Sequence, residues 1–533
     1  MSNQSQSGTH PQFFTIIMVF FFWGFVAASN GIFIPFCKTY FHLNQFQSQL
    51  IDTAFYGAYY MGSLLLYFFS TLSGIDVLNR IGYKNGIILG LCISIVGALC
   101  MLPAINVGSF GLILGAFFIV ALGFSLQQTA AQPFAVALGD PESGSHRLNM
   151  AGGVNSFGTT IGPLVVSVLL FGAISQGTGA KADIASINYL YLILAGVFGL
   201  VAIVFTIAKL PKVNSEEKFE PTTKASVALL AMTGLLIVII LLGMFTAINQ
   251  VLLVTGGILS VLAVLLVSYS SASKNGEGWG AMRYPQLILG MIGIFVYVGV
   301  EVTIQSNMGA LLQLPEFGGM DESKISPFIS LYWGSMMIGR WTGAIAVFKP
   351  SKSTKVIATI IVPLVAFGVI LGVNILRGTD VSDLYIYVVC IVVLIAAMFW
   401  GQEQPTKTLL AVSTMGIVAM LIGVMTTGTI ATFAFLSGGL CCSVMWPCIF
   451  SLAIAGLGKY TSQGSAFLIM MILGGALIPP FQGSLADVPA VGIHLSYLVA
   501  VICFGYLAWF AWKVKGILKA QGIDYEVGMG GGH

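Results

Sequence analysis

Residues 284–312 hold a single charged side chain, Glu301. The nearest charges are Arg283 before the stretch and Glu316 after it. A carboxylate inside a long apolar run is expensive. On insertion scales it costs about 2.5–3.5 kcal/mol at a bilayer midplane, and such residues are as a rule functional. A structural ion pair would need a basic partner at the same depth, and the sequence places every Lys and Arg near the end of an apolar run. Glu301 is therefore expected to be protonated, to bind a cation or to face a wet cavity. Tyr297, Glu301 and Gln305 recur at i, i+4 and i+8, which puts them on one helical face. The run TIQSN after Glu301 is too polar to face lipid. With Gly299 it predicts a cavity-lining helix that breaks there, as helices at transporter substrate sites do.

A second polar group lies in SLQQTAAQP (125–133). Gln128 and Gln132 are again i, i+4, with Ser125 one turn earlier. Neutral amides that both donate and accept hydrogen bonds suit an uncharged, polyhydroxylated ligand. The alternative is interhelical glue, worth about 0.6 kcal/mol per bond in membrane helices. Asn30, followed by Gly31 and Pro35, stands at the end of the first apolar run. Asn155 and Thr159 share a face beside Gly152 and Gly153. Trp446, just before Pro447 in SVMWPCIF, either stacks on a ligand ring or packs. Asp52 is a second membrane carboxylate. It is a candidate for cation coupling behind Glu301, with solvation at the interface as the alternative.

These residues need a membrane to make sense. The chain has 533 residues, 57% hydrophobic and 8% charged, against about 25% charged for a soluble domain. The apolar residues come in runs of about 20, the length that crosses a hydrocarbon core. The 64 glycines fit close helix packing. The first ten residues carry no Lys or Arg, so the first run reads as a retained span rather than a cleaved leader. The eight cysteines show no CxxC spacing, so neither a disulfide framework nor a metal site is expected. No GxSxG, HExxH or phosphate-cradling GxxxxGK[ST] is present. An enzyme, a bound cofactor, ATP as driving force and a nucleic-acid partner are therefore not expected.

Sixteen candidate spans fit between residues 12 and 512, with fourteen as the alternative count. With the amino terminus in the cytoplasm, alternation places 18 Lys and Arg inside and 4 outside, as the positive-inside rule requires. The segment 210–224 is the longest charged loop and reads as a linker. The organisation predicted is a six-helix bundle over 1–209, a cytoplasmic linker with an extra helix pair over 210–283, and a second six-helix bundle over 284–533 with another extra pair inserted at about 354–402. The helices at 225–271 and 354–402 carry few polar residues and are expected to face lipid.

The motifs IGYKNGIILG, QQTAAQPF, RLNMAGGVNSFG, YVGVEV, WPCIFSLAIAGLGKYTSQGS and GGALIPPFQGSLAD together resemble the fucose/galactose/glucose–proton symporter family of the major facilitator superfamily. YVGVEV is most similar to its bacterial glucose/galactose transporter branch. The resemblance covers roughly 1–210, 284–349 and 406–515. It implies an all-α fold of two six-helix bundles around a central cavity, working by alternating access. NRIGYK (79–84) resembles the superfamily's loop between helices two and three, keeping Arg80, Gly82 and Lys84 but with Asn79 where Asp is usual. GRWTG (339–343) is its weaker counterpart. Arg80, Lys84 and Arg340 are thereby implied in conformational gating. Fucose-type members resemble NDILLP in helix one and LETAANP in helix four. Gly31 and Gln128 stand at those carboxylate positions here, while Glu301 stands where those members have a neutral glutamine. The carboxylate has changed sides of the expected cavity.

The function expected is import of a neutral hexose-type monosaccharide by cation-coupled symport, with H+ ahead of Na+. Asn30, Gln128, Gln132, Asn155, Glu301, Gln305 and Trp446 are the expected sugar contacts, and Glu301 with Asp52 the coupling carboxylates. A cation-independent facilitator and a non-transporting sugar sensor are the alternatives. The expected setting is an inner or plasma membrane, as a monomer with both termini cytoplasmic.

Overall fold

The computed structural model describes residues 11–42, 45–140, 143–171, 184–211, 222–246, 248–320, 322–401 and 403–523. Every described element is helical, the outcome required of a chain whose backbone polar groups find no water in hydrocarbon. The first six long helices are α1 (Met18–Tyr40), α2 (Gln45–Ser73), α3 (Tyr83–Val107), α4 (Phe110–Ala137), α5 (Gly144–Phe171) and α6 (Ile184–Ile207). Next come α7 (Thr223–Phe245), α8 (Gln250–Lys274), α9 (Pro285–Ser306), α10 (Glu322–Ala344), α11 (Lys352–Leu376), α12 (Val388–Gly401) and α13 (Pro405–Met425). The last are shorter or interrupted: α14 (Gly428–Leu436), α15 (Gly438–Cys442), α16 (Met445–Ile454), α17 (Thr461–Met470), α18 (Gly474–Ala486) and α19 (Leu498–Ala520).

Local chemistry sets the ends. Gly108 closes α3 with φ 67°, a conformation open to glycine. Ser109 then caps α4 by accepting from Leu112 N–H at 3.4 Å. Proline occupies the first turn of α9 and of α13, where its missing N–H is not needed.

Twelve helical stretches among the described residues are long and apolar enough to cross a membrane. The expected sixteen spans, and the alternative fourteen, are not borne out. In α2 and α10 the sequence interrupts its apolar residues with polar ones, such as Asp52, Glu322 and Arg340. The stretches differ in how much protein covers them. The window in Pro285–Leu312 is 89% buried and that in Gly428–Ile454 is 94% buried, whereas those on Thr223–Gly243 and Gln250–Lys274 are 17% and 22% buried.

The Ser382–Gly401 stretch is one of the twelve. It follows a turn in which Asp380 accepts Ser382 N–H at 2.9 Å, a bond that holds this exposed carboxyl below its ordinary range. Single cysteines at Asp380 and Lys407 are expected to react with an impermeant thiol reagent from opposite sides of the membrane. Labelling of both from one side would show that 382–401 does not cross.

By contacts the chain divides into two compact units whose segments alternate along the sequence. The first holds residues 1–66, 77–214 and 336–385; the second holds 67–76, 215–335 and 386–533. Within the first, α1 meets α5 backbone to backbone: a Cβ on Gly24 would strike the Asn155 carbonyl and one on Gly158 the Phe21 carbonyl. Small residues are what allow such approaches between membrane helices. The end of α10 joins this unit because Trp341 donates from Nε1 to the Gly153 carbonyl at 3.4 Å and Gly343 lies against Asn149.

In the second unit α9 packs against α18 in the same manner. A Cβ on Gly474 would overlap the Phe295 carbonyl, and one on Gly299 would overlap Ile478. Gly474→Ala drives a methyl into backbone that has no rotamer to yield. A loss of about 1–3 kcal/mol is expected, the usual cost of overpacking, read as a lower melting midpoint in detergent. Gly483→Ala, with open space around it, should melt like the parent.

Candidate functional site

In the first unit the polar residues of α4 divide by face. Gln127 is buried: its Oε1 accepts from Trp23 Nε1 at 3.0 Å and its amide donates to Ser94 Oγ at 3.1 Å. This residue ties α1, α3 and α4 together. Ser125 Oγ donates to the Tyr59 carbonyl at 2.9 Å and lies 2.9 Å from Ser63 Oγ, so it joins α4 to α2. One helical step from Gln127, Gln128 is only half-buried and donates to the Tyr59 hydroxyl at 3.0 Å. Gln132 is buried, and its Oε1 has no hydrogen-bond partner among the described residues. Gln128 and Gln132 thus keep polar capacity that the surrounding protein does not use up, whereas Gln127 and Ser125 are committed to packing.

Asn155 is committed more fully. Its Nδ2 donates to the Phe20 carbonyl at 2.9 Å, and its Oδ1 accepts from Arg340 Nη1 at 3.3 Å. The same guanidinium nitrogen donates to Ser156 Oγ at 2.8 Å and to the Gly152 carbonyl at 3.3 Å. Nine positions before Asn155 on the same helix, His146 Nδ1 stands 2.9 Å from the Gly343 carbonyl. Arg340, expected to gate, is therefore part of a polar seam between α5 and α10. Lys84 donates to the carbonyls of Thr206 and Ala208 at 2.9 and 2.8 Å, so it caps the C-terminal end of α6, where a cation is favoured. Arg80 is exposed at the end of the short helix Val77–Ile81. Asn30 and Asp52 stand on described helices, but their side chains lie outside the described residues.

Arg147, which the sequence reading did not single out, is completely buried. Its Nε donates to the Ala135 carbonyl at 2.9 Å, its Nη2 to the carbonyls of Val136 and of Asp140, the latter at 2.9 Å, and its Nη1 to Ser143 Oγ at 2.7 Å. The planar fork satisfies the carbonyls that the end of α4 leaves without partners.

In the second unit Glu301 is half-buried on α9, and its backbone carbonyl accepts from the Tyr332 hydroxyl at 2.7 Å. Tyr332 carried no sequence signal; it lies 31 positions away in an ordinary apolar run. Tyr297, one turn before Glu301, sets its ring 6.1 Å from that of Trp446, which in turn stacks on Phe450 at 6.2 Å. Trp446 is half-buried, and its Nε1 has no hydrogen-bond partner among the described residues. Gln305 is half-buried on the next turn of α9. The structure thus places Glu301, Tyr297 and Trp446 in one neighbourhood. The predicted break in this helix is real but displaced: α9 runs through Gly299 and ends at Ser306, with Asn307 before the short helix Met308–Leu312. Gly299 is instead a contact with Ile478. A second interruption falls at Val444, just ahead of Trp446 and Pro447, where proline supplies no N–H to the preceding turn.

Chemically, the first unit offers neutral amides and a phenol. The second offers a carboxylate, aromatic faces and an indole N–H. No cluster of three or more His, Cys, Asp or Glu that could hold a metal occurs among the described residues. Amides, a phenol and an indole N–H are groups that hydrogen-bond hydroxyls, and the Glu301 carboxyl is a group able to exchange a proton.

Comparison with known proteins narrows this. The sequence pattern of the Major Facilitator Superfamily matches residues 13–430. The glucose/galactose transporter of Brucella abortus (strain 9-941) is 32% identical over 497 residues, covering 93% of this chain and 92% of that one. The L-fucose-proton symporter of Escherichia coli (strain K12) is 25% identical over 526 residues, covering 96% and 94%. The crystal structure of the E. coli fucose:proton symporter FucP superposes with a TM-score of 0.64 at 22% identity, over 94% of this chain and 98% of that one; at that identity the likeness is one of fold.

Proposed function

Because this chain belongs to the Major Facilitator Superfamily, we propose that it imports a neutral hexose-type monosaccharide by secondary active symport, driven by H+ rather than Na+. The observation that carries the sugar is the 32% identity to a glucose/galactose transporter along nearly the whole chain. Proton coupling draws support from the likeness to an L-fucose-proton symporter and from the titratable Glu301. The setting proposed is the inner membrane of a bacterium, with both termini cytoplasmic and the protein acting as a monomer.

In this reading Gln128 and Gln132 contribute hydrogen bonds to sugar hydroxyls, supported by the polar capacity each retains. Trp446 offers its ring face and indole N–H, and Glu301 and Gln305 offer polar contacts from α9. Asn30 is a further contact, and Asp52 the second carboxylate. Asn155 acts at one remove, because both ends of its amide are already held by protein. Arg340, with Lys84 and Arg80, acts in the conformational cycle rather than on sugar.

The test is counterflow in proteoliposomes with labelled glucose and galactose, followed by uptake under an imposed pH gradient. The proposal expects counterflow of at least one of them, accumulation above the external concentration and external alkalinisation on sugar addition. Counterflow without accumulation under either an H+ or a Na+ gradient would make the protein a facilitator. Sugar binding without counterflow would make it a sensor.

A further inference from the structure

A cavity of about 520 Å³ lies in the second unit between α7 and α8, walled by Val227, Ala228, Ala231 and Val264 and closed at one end by Lys224 and Trp279. No residue assigned above to sugar or coupling lines it. Its long walls are apolar and partly made of alanine, which leaves a trough along the pair. The flanks of the trough face outward: Val227 and Val267 are each 67% exposed. Both helices belong to the twelve stretches able to cross a membrane and are among the least covered by protein. With these helices across a bilayer, what reaches this trough is hydrocarbon.

The end closed by Lys224 and Trp279 is different. Lys224 sits in the first turn of α7 and Lys274 in the last turn of α8, both exposed. The loop between α8 and α9 adds Glu277 and Arg283, so the described residues at this end are net positive, whereas the opposite connection, residues 246–249, carries no charge. Trp279 is 5% exposed and its Nε1–H has no hydrogen-bond partner among the described residues. Buried donors are normally satisfied. An indole beside an exposed ammonium and next to an apolar trough, at the end of two helices able to cross a membrane, suits a molecule with an oxygen-rich anionic head and a hydrocarbon tail.

We infer that this cavity is a binding site for one anionic phospholipid, its phosphate on Lys224, an ester or phosphate oxygen on Trp279 Nε1, and an acyl chain along Ala228, Ala231 and Val264. The inference rests on α7 and α8 lying in a bilayer and is independent of which solute the protein carries. Fluorescence quenching tests it on the full chain in liposomes containing a small fraction of acyl-brominated phosphatidylglycerol or phosphatidylcholine. The emission lost in Trp279→Phe isolates this indole. The expected result is that its quenching by the anionic lipid exceeds that by the zwitterionic one at least threefold. Lys224→Gln should remove the preference, and Lys513→Gln, an exposed charge on α19, should keep it. Ala228→Phe, which fills the trough from a half-buried position, should cut the Trp279 quenching by half or more and leave the other tryptophans unchanged. Equal quenching by the two lipids overturns the inference. So does loss of the preference in Lys513→Gln, undiminished quenching in Ala228→Phe, or displacement of the anionic lipid by inorganic phosphate, which would make the site one for a soluble anion.

Discussion

Glu301→Gln is expected to abolish uphill accumulation of sugar while leaving sugar exchange within about threefold of the parent. The substitution keeps the length of the side chain and its capacity for hydrogen bonds, but removes the only carboxyl on α9. A transported charge draws about 2.3 kcal/mol from each 100 mV of membrane potential, which sustains an accumulation of about 50-fold at a tenfold per 1.4 kcal/mol. A carrier that has lost coupling falls to a ratio of one. Linkage makes the effect reciprocal: if the proton changes sugar affinity, the sugar changes proton affinity by the same factor. The variant should therefore also lose sugar-induced alkalinisation and show an exchange rate that varies less with pH. If exchange is lost together with accumulation, Glu301 chiefly holds sugar. If the variant accumulates sugar as the parent does, coupling lies elsewhere and Asp52 is examined next.

Arg147→Leu is expected to remove most of the folded protein. The change keeps apolar bulk but strips the carbonyls of Ala135, Val136 and Asp140 of their donor, and each buried unsatisfied group costs about 1–3 kcal/mol. A loss of about 3 kcal/mol or more should appear as a sharply lower melting midpoint and a smaller monodisperse fraction after detergent extraction. Arg147→Lys should fall between the two, since one ammonium cannot reproduce a planar fork that serves several acceptors at once. Melting of Arg147→Leu at the parent's temperature would show that water replaces the guanidinium at the end of α4.

How much of this was legible in the sequence depends on whether a residue's meaning is carried by its type or by its neighbours in space. A carboxylate or a glutamine inside an apolar run stands out by type alone, and Glu301, Gln128 and Gln132 were found that way. Gln127 escaped because it differs from Gln128 only by about 100° around the helix, and the sequence does not say which neighbour each direction meets. Asn155 was read as open to a ligand, yet its partners are a backbone carbonyl on α1 and a guanidinium on α10, both far away in the chain. Arg147 does not stand out among the chain's 22 Lys and Arg; its carbonyl partners are backbone and leave no trace in residue type. The break in α9 was expected because the run after Glu301 is polar, but it was tied to Gly299, whose role is contact with Ile478. The sixteen expected spans rest on apolar runs, with sidedness of charge as their check, whereas twelve stretches qualify among the described residues; the sequence does not show that the polar residues of α5 and α10 bond to each other.

The overlap of α9 with α18 at Gly474 has a mechanical meaning. Two helices separated by side chains can slip, because rotamers re-sort and a new set of contacts replaces the old. Two helices seated backbone on backbone have nothing to re-sort, and any slip must drive peptide into peptide. Glu301 therefore rides on a coupled bar made of both helices, and a displacement felt at one is delivered whole to the other. Spin labels on Ser306 of α9, which is exposed, and Leu485 of α18, which is half-buried, should keep a constant separation through substrate addition and pH change, however far the pair travels together.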